Sequence, residues 1–189
     1  MGLLPRSFYE RDPALVAAGL LGAILRRDRR GPPASCRIVE TEAYYGPSDP
    51  ASRAARTTRG RIAARLRGPP GVALVYGIHR QWLLNIVAHP EPGWGAVLIR
   101  ACEPLEGLPG DARTSGPGLL TRALGIDKSL DGVPVYEPGS PLRVEAPLEP
   151  PPPGSVGRGR RIGVSRDLPV PLRFCLAGSR HLSRPCRPP

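Results

Sequence analysis

The sequence predicts an α+β fold: a single mixed α/β domain in which short helices pack on a sheet and one β-hairpin protrudes. Three observations predict it. The chain has 189 residues, enough for one domain with a sizeable core. Short apolar runs bounded by Gly and Pro recur along it, as strands do. Helix signals are confined to two places, residues 13–25 and 118–124.

In chain order, residues 1–11 form an entry segment. Asp12-Pro13 reads as an N-cap followed by Pro in the first turn, starting a helix over 13–25. Arg26 and Arg27 suit the negative end of that helix. Gly31-Pro32-Pro33 is a loop, and residues 36–44 read as a strand. The segment 46–70 is long, Arg-rich and expected to be largely irregular; a loop of that length in a compact domain is usually functional. Residues 71–76 and 81–87 predict two strands joined as a hairpin around Gly77–Arg80. After a turn at 90–95, residues 95–102 form a strongly apolar strand. A short helix over 118–124 ends at Gly125. Residues 147–159 are a Pro/Gly-rich surface loop. Residues 161–164 and 172–176 are expected to be closing strands. The domain spans 1–182, and 183–189 is expected to be a mobile tail. No repeat and no second domain is visible.

The formal net charge is +11, and Lys128 is the only lysine. Charge of that size favours phosphate-rich partners through counterion release. Cys36, Cys102, Cys175 and Cys186 lack any C-x-x-C pair and are expected to be free thiols in a reducing compartment. His79, His89 and His181 lack metal-ligand spacing. The apolar run at 15–25 is too short to span a bilayer, and no small-residue cleavage site follows it. These features predict a cytoplasmic, nucleoid-associated protein.

The most informative stretch is Arg37-Ile38-Val39-Glu40-Thr41-Glu42-Ala43-Tyr44-Tyr45-Gly46-Pro47. On a strand, alternate side chains share a face, so Ile38, Glu40, Glu42 and Tyr44 are expected to point one way. A carboxylate two residues from an aromatic suits a pocket that stacks a flat ligand beside an acid or base. Arg53, Arg56, Arg59, Arg61, Arg65, Arg67 and Arg80 follow, with no Asp or Glu between Asp49 and Glu91. An acidic pocket wall beside a long basic surface suits a negatively charged polymer carrying a planar group.

The chain resembles the alkyladenine (3-methyladenine) DNA glycosylase family. The resemblance is carried by Arg37-Ile38-Val39-Glu40-Thr41-Glu42-Ala43-Tyr44, Gly68-Pro69-Pro70-Gly71, Leu84-Asn85-Ile86-Val87, Ala96-Val97-Leu98-Ile99-Arg100-Ala101, Gly116-Pro117-Gly118, Arg161-Ile162-Gly163-Val164 and Leu172-Arg173-Phe174. It implies a curved antiparallel sheet, no metal and no organic cofactor. It also implies a monofunctional enzyme of base excision repair that hydrolyses the N-glycosidic bond of alkylated or otherwise damaged purines flipped out of duplex DNA. A carboxylate opposite the leaving base would take the proton of the attacking water. The resemblance gives that role to Glu42, with Glu40 as the competitor on the same strand. It places Arg100 near the water and phosphate, Tyr44 against the flipped base, and Asn85 at the pocket floor.

Two departures stand out. Arg53 occupies the place of a family histidine that packs on the base, which puts the substrate range in question. The hairpin is also spaced differently: Tyr76-Gly77-Ile78-His79 makes Tyr76 the wedge inserted into the duplex, whereas ungapped counting from Gly71 makes Tyr76 a base-stacking residue and His79 the wedge. Arg56, Arg59, Arg61, Arg65, Arg67 and Arg80 are expected to contact DNA. With Lys128 the only lysine, and Met1 carrying the other amine, no Schiff-base nucleophile is expected near the site. A monomer is assumed. Two other readings are a helix-hairpin-helix glycosylase, which lacks its lysine here, and a non-catalytic or altered-specificity nucleic-acid-binding protein on the same scaffold.

Overall fold

The computed structural model describes residues 2–29 and 31–186. A short helix α1 (Arg6–Tyr9) leads into α2 (Pro13–Gly19). Asp12 caps α2 as expected, its carboxylate accepting the Ala14 N–H at 2.8 Å. The helix predicted over 13–25 stops early. Gly22 takes φ +85°, and the chain turns into strand β1 (Ile24–Arg27). Pairing with neighbouring strands overrides the continuous apolar run, which periodicity alone cannot assign.

Next come β2 (Ala34–Tyr45), α3 (Arg61–Leu66), β3 (Ala73–Ile78), β4 (Gln81–Val87), β5 (Gly95–Pro104), α4 (Pro117–Leu124), β6 (Leu142–Glu145), β7 (Val156–Gly159) and β8 (Arg173–Leu176). The segment expected to be irregular thus contains α3. Residues 161–164 are a loop and not a strand; the strand lies at β7, inside the predicted surface loop. Sequence reading also did not anticipate β6.

The strands form one curled, antiparallel sheet in the order β3-β4-β5-β2-β1-β6, with β8 against β2 and β7 against β8. Strand β2 is the hub. It pairs with β5 on one edge, and with β1 and then β8 on the other. Tyr9, Val16, Leu20, Ile38, Ile99 and Phe174 belong to the main core cluster. A smaller cluster under α3 contains Ala54, Leu66, Leu74, Val87 and Ala96.

The register of β2 against β5 is irregular between Ile38 and Thr41. That bulge resets the pleat. Ile38 packs in the core with Ala43, and Thr41 donates to the Ala17 carbonyl of α2 at 2.8 Å. Glu40, Glu42 and Tyr44 share the opposite side. Ile38 therefore does not join them, contrary to the plain alternation expected of the strand.

The β3–β4 hairpin closes with Ile78 opposite Gln81. The two residues between them, His79 and Arg80, have φ of +48° and +63°. Two positive φ values are what a two-residue primed turn needs, here without the usual Gly.

Helix α4 ends at Gly125, left-handed at φ +63° with nothing within 4 Å of an added Cβ. Gly125→Ala therefore tests conformation alone. It should lower stability by about 1–2 kcal/mol in denaturant titrations.

Candidate active site

A cleft of about 660 Å³ opens between the hairpin, the end of β2, β5 and the loop at 162–166. Strand alternation builds it. Leu74, Tyr76 and Ile78 face it from β3, Leu83 and Asn85 from β4, and Ala96, Leu98 and Arg100 from β5. Val97 and Ile99, between those β5 residues, lie in the core. Tyr44, Arg53, Arg56 and His79 complete the sequence-predicted residues that line it.

Glu42 sits behind this wall, fully buried. Its Oε2 accepts from the Tyr44 hydroxyl at 2.8 Å and from Arg100 Nη1 at 3.3 Å. Its Oε1 accepts the Ile162 N–H at 2.7 Å. Burial pushes the Glu42 carboxyl above the ordinary 4.5, while Arg100, Ile162 and Tyr44 pull it back only in part. A carboxylate offers about four lone-pair positions, so three donors leave one for a further proton.

Glu40 is also fully buried. Arg173 Nε donates to its Oε1 at 2.6 Å, and Arg100 Nε lies 3.3 Å from the same oxygen. Arg100 thus bridges the two carboxylates. The C-terminal segment closes over Glu40: the Ser183 N–H donates to Oε2 at 2.6 Å and the Ser183 hydroxyl to Oε1 at 2.9 Å.

Tyr44 has Arg161 against its ring, the guanidinium carbon 4.5 Å from the centroid. Arg161 is held by Asp49 at 2.6 Å and Asp167 at 2.6 Å. Burial raises the Tyr44 hydroxyl well above its usual range, so it stays a donor to Glu42. Across the cleft, Arg53 lies 5.5 Å from the Tyr76 ring centroid. Burial likewise raises the Tyr76 hydroxyl, with Arg53 and Asn85 opposing. Asn85 Nδ2 donates to the Leu74 carbonyl at 3.2 Å, which fixes the amide orientation.

The other predicted arginines divide. Arg56, Arg59 and Arg80 are exposed and have no acidic partner among the described residues. Arg61 pairs with Asp131, and Arg65 approaches the same carboxylate at 3.5 Å. Arg67 stacks on Trp94 at 5.4 Å. Lys128 belongs to a short 3₁₀ turn and does not line the cleft; Met1 lies outside the described residues.

Sequence reasoning missed four contributors: Asp49, Asp167, the Ile162 N–H and Ser183. Only the Arg161-Ile162-Gly163-Val164 block pointed to that loop, and it was read as a strand. The expectation of four free thiols is overturned. Cys175 and Cys186 form a disulfide, with Cα atoms 6.5 Å apart, while Cys36 and Cys102 are buried free thiols. Of the tail expected to be mobile at 183–189, Ser183 to Cys186 is instead held by Glu40, Arg173 and Cys175, and 187–189 lie outside the described residues. Among the described residues, no helix is long and apolar enough to cross a membrane.

The family model described as methylpurine-DNA glycosylase (MPG) matches residues 7–180. A protein of Aeropyrum pernix named "Putative 3-methyladenine DNA glycosylase" is 54% identical over 182 residues, covering 96% of this chain and 93% of that protein. One of the same name from Myxococcus xanthus is 41% identical over 190 residues, covering 97% and 95%.

Asp49 provides a stability test. Burial alone would raise its carboxyl, but donors from Arg161, Tyr45 and Ala51 outweigh burial and hold it below the ordinary 3.8. Its contribution is complete above the unfolded value and is lost as pH falls through the lowered folded value. Asp49→Asn should cost about 1.5–3 kcal/mol at neutral pH, because Arg161 keeps Asp167 but its charge-assisted hydrogen bonds to Asp49 are weakened. Urea melts at neutral pH and near pH 3 should show the gap to wild type narrowing in acid.

Proposed function

The chain belongs to the methylpurine-DNA glycosylase family and is a DNA repair glycosylase; from this premise we propose that it hydrolyses damaged purines flipped from duplex DNA into the Tyr44–Tyr76 cleft, with Glu42 activating water. The observation that carries this reading is a buried carboxylate held by Arg100 and Tyr44 directly behind an aromatic-walled cleft. The target nucleotide leaves the stack and its base enters between the two tyrosines. Water attacks the sugar carbon as the glycosidic bond breaks. The bonding electrons leave with the base, and the water proton passes to Glu42. Arg100 keeps Glu42 ionised for that step. Free base and an intact strand with an abasic site result.

The hairpin geometry favours one of the two assignments. Tyr76 lines the cleft beside Asn85, so it is suited to stack on the base. His79 and Arg80 form the exposed tip, so His79 is suited to fill the vacated stack. For the phosphates, Arg56, Arg59 and Arg80 supply positive charge without an acidic partner among the described residues. Lys128 lies away from the cleft, which supports a monofunctional, water-based mechanism.

Glu42→Gln should lower single-turnover release of alkylated purines by about 10²–10⁴-fold while DNA affinity holds or rises. Turnover above about a tenth of wild type would refute the assignment. In wild type, release should fail in acid at a pH above the ordinary glutamate value, because burial raises Glu42.

Arg53 bears on the lesion range. It faces the cleft with no acidic partner among the described residues, so it opposes a cationic base and tolerates a neutral one. At about 6 Å and an effective dielectric near 20 such repulsion is about 2–3 kcal/mol before screening. Arg53→His should therefore raise release of 7-methylguanine relative to hypoxanthine about tenfold. An unchanged ratio would mean that Arg53 serves the phosphates.

A further inference from the structure

The C-terminal segment is attached to the chain at one level of the sheet. Cys175 on β8 pairs directly with Glu40 on β2, and its disulfide partner Cys186 ends the described tail. Between the two anchor points, Arg173 Nη2 donates to the Arg184 carbonyl at 2.5 Å and Nη1 to the Pro185 carbonyl at 3.3 Å. Ser183 gives Glu40 two hydrogen bonds, and Arg100 Nη2 reaches the Ser183 hydroxyl at 3.4 Å. The same Arg100 has a buried Nε with no hydrogen-bond partner, facing Glu40 across 3.3 Å. Arg100 therefore lies between a carboxylate satisfied by the tail and the carboxylate buried behind the cleft wall.

We propose that Glu40 and the docked tail are positioning elements: Ser183 satisfies Glu40 so that Arg100 remains free to hold Glu42, and the Cys175–Cys186 bond is the tether that keeps Ser183 in place. The inference rests on the reading of Glu42 as the water-activating base. Its physical content is a competition. Glu40 and Glu42 share one guanidinium, and each donor that the tail gives to Glu40 weakens its claim on Arg100. Without the Ser183 donors, Arg100 moves toward Glu40, and Glu42 loses its countercharge. The groups around Glu42 are Arg100 from β5, Glu40 and Tyr44 from β2, Arg173 opposite it on β8, Tyr76 from β3, and Arg161 behind Tyr44. Of these, only Arg100 is a cation in contact with the Glu42 carboxylate. Weakening that contact raises the Glu42 carboxyl further.

The test compares wild type, Ser183→Ala, Ser183→Thr and Cys186→Ser in single-turnover base release across pH, with DNA affinity measured in parallel. Ser183→Ala and Cys186→Ser should slow release about tenfold. They should also move its acid limb upward by about 0.5–1 pH unit, with DNA affinity unchanged. Ser183→Thr keeps the hydroxyl and should restore both. Dithiothreitol should convert wild type to the Cys186→Ser behaviour, leaving two protein thiols and oxidised reagent, and should not alter Cys186→Ser itself. Ser183→Ala keeps the disulfide, so its result stands even if Cys186→Ser folds poorly. Wild-type rates and acid limbs in active Ser183→Ala would overturn the positioning role alone. So would a loss confined to DNA affinity, which would make the tail a DNA contact. Normal base release by the Glu42→Gln variant would instead remove the Glu42 reading, and this inference with it.

Discussion

Glu40 and Glu42 are two fully buried carboxylates on one side of a single strand, and two such charges can stay ionised together only if cations are fixed between and beside them. Arg100 and Arg173 provide that charge. Both come from strands paired with β2, so the sheet itself sets their distance. Much of the architecture follows from this requirement. Strand β2 must be central, because it needs β5 on one edge to bring Arg100 and β8 on the other to bring Arg173. The bulge near Val39 must be there too, since it turns the two glutamates away from the core that Ile38 and Ala43 occupy. Replacing one partner in such a set leaves an uncompensated charge, so the network is cooperative by construction.

A second charged set braces the first from outside. Arg161, between Asp49 and Asp167, lies against the ring of Tyr44, and the next residue sends its N–H to Glu42. One loop thereby positions both the aromatic wall and the carboxylate behind it. Preorganisation of this kind is expected where a reacting group must hold its geometry while water and nucleotide enter. The hairpin serves the opposite need. Its tip projects two left-handed, exposed residues that make little use of the core, as suits the proposed role of meeting the duplex.

How much of this was legible in the sequence depended on range. The placement of Glu42, Tyr44, Arg100 and Asn85 around one site follows from period-two strands and a family pattern, both local in sequence. The hairpin strand 81–87 and the Gly125 cap were legible for the same reason. Helix 13–25 was misread because the apolar residues continue unbroken through Gly22, and only the partners β2 and β6 reveal that the second half is a strand. The loop carrying Arg161 looked like a strand because Ile162 and Val164 alternate; its backbone instead serves Glu42. Ser183 and Cys186 gave no signal at all. They lie in a short polar tail, and their partners Glu40 and Cys175 become neighbours only once β8 has paired with β2.

The arginines show how the fold separates structural charge from working charge. Sequence alone presents one continuous basic run, and charge counting treats its members alike. In the structure Arg61 and Arg65 are drawn to Asp131, whose other oxygen accepts the Val75 N–H at 2.9 Å. They tie α3 to β3, and the single Asp131 carboxylate balances one of their two charges. Arg53, Arg56, Arg59 and Arg80 have no such partner among the described residues. Their fields remain directed at the cleft and the surface beside it. A net charge of +11 says only that a polyanion is attracted. On the proposed reading, the pairing of some arginines and the isolation of others decides where phosphates are held, because only the isolated ones keep their full charge for a polyanion.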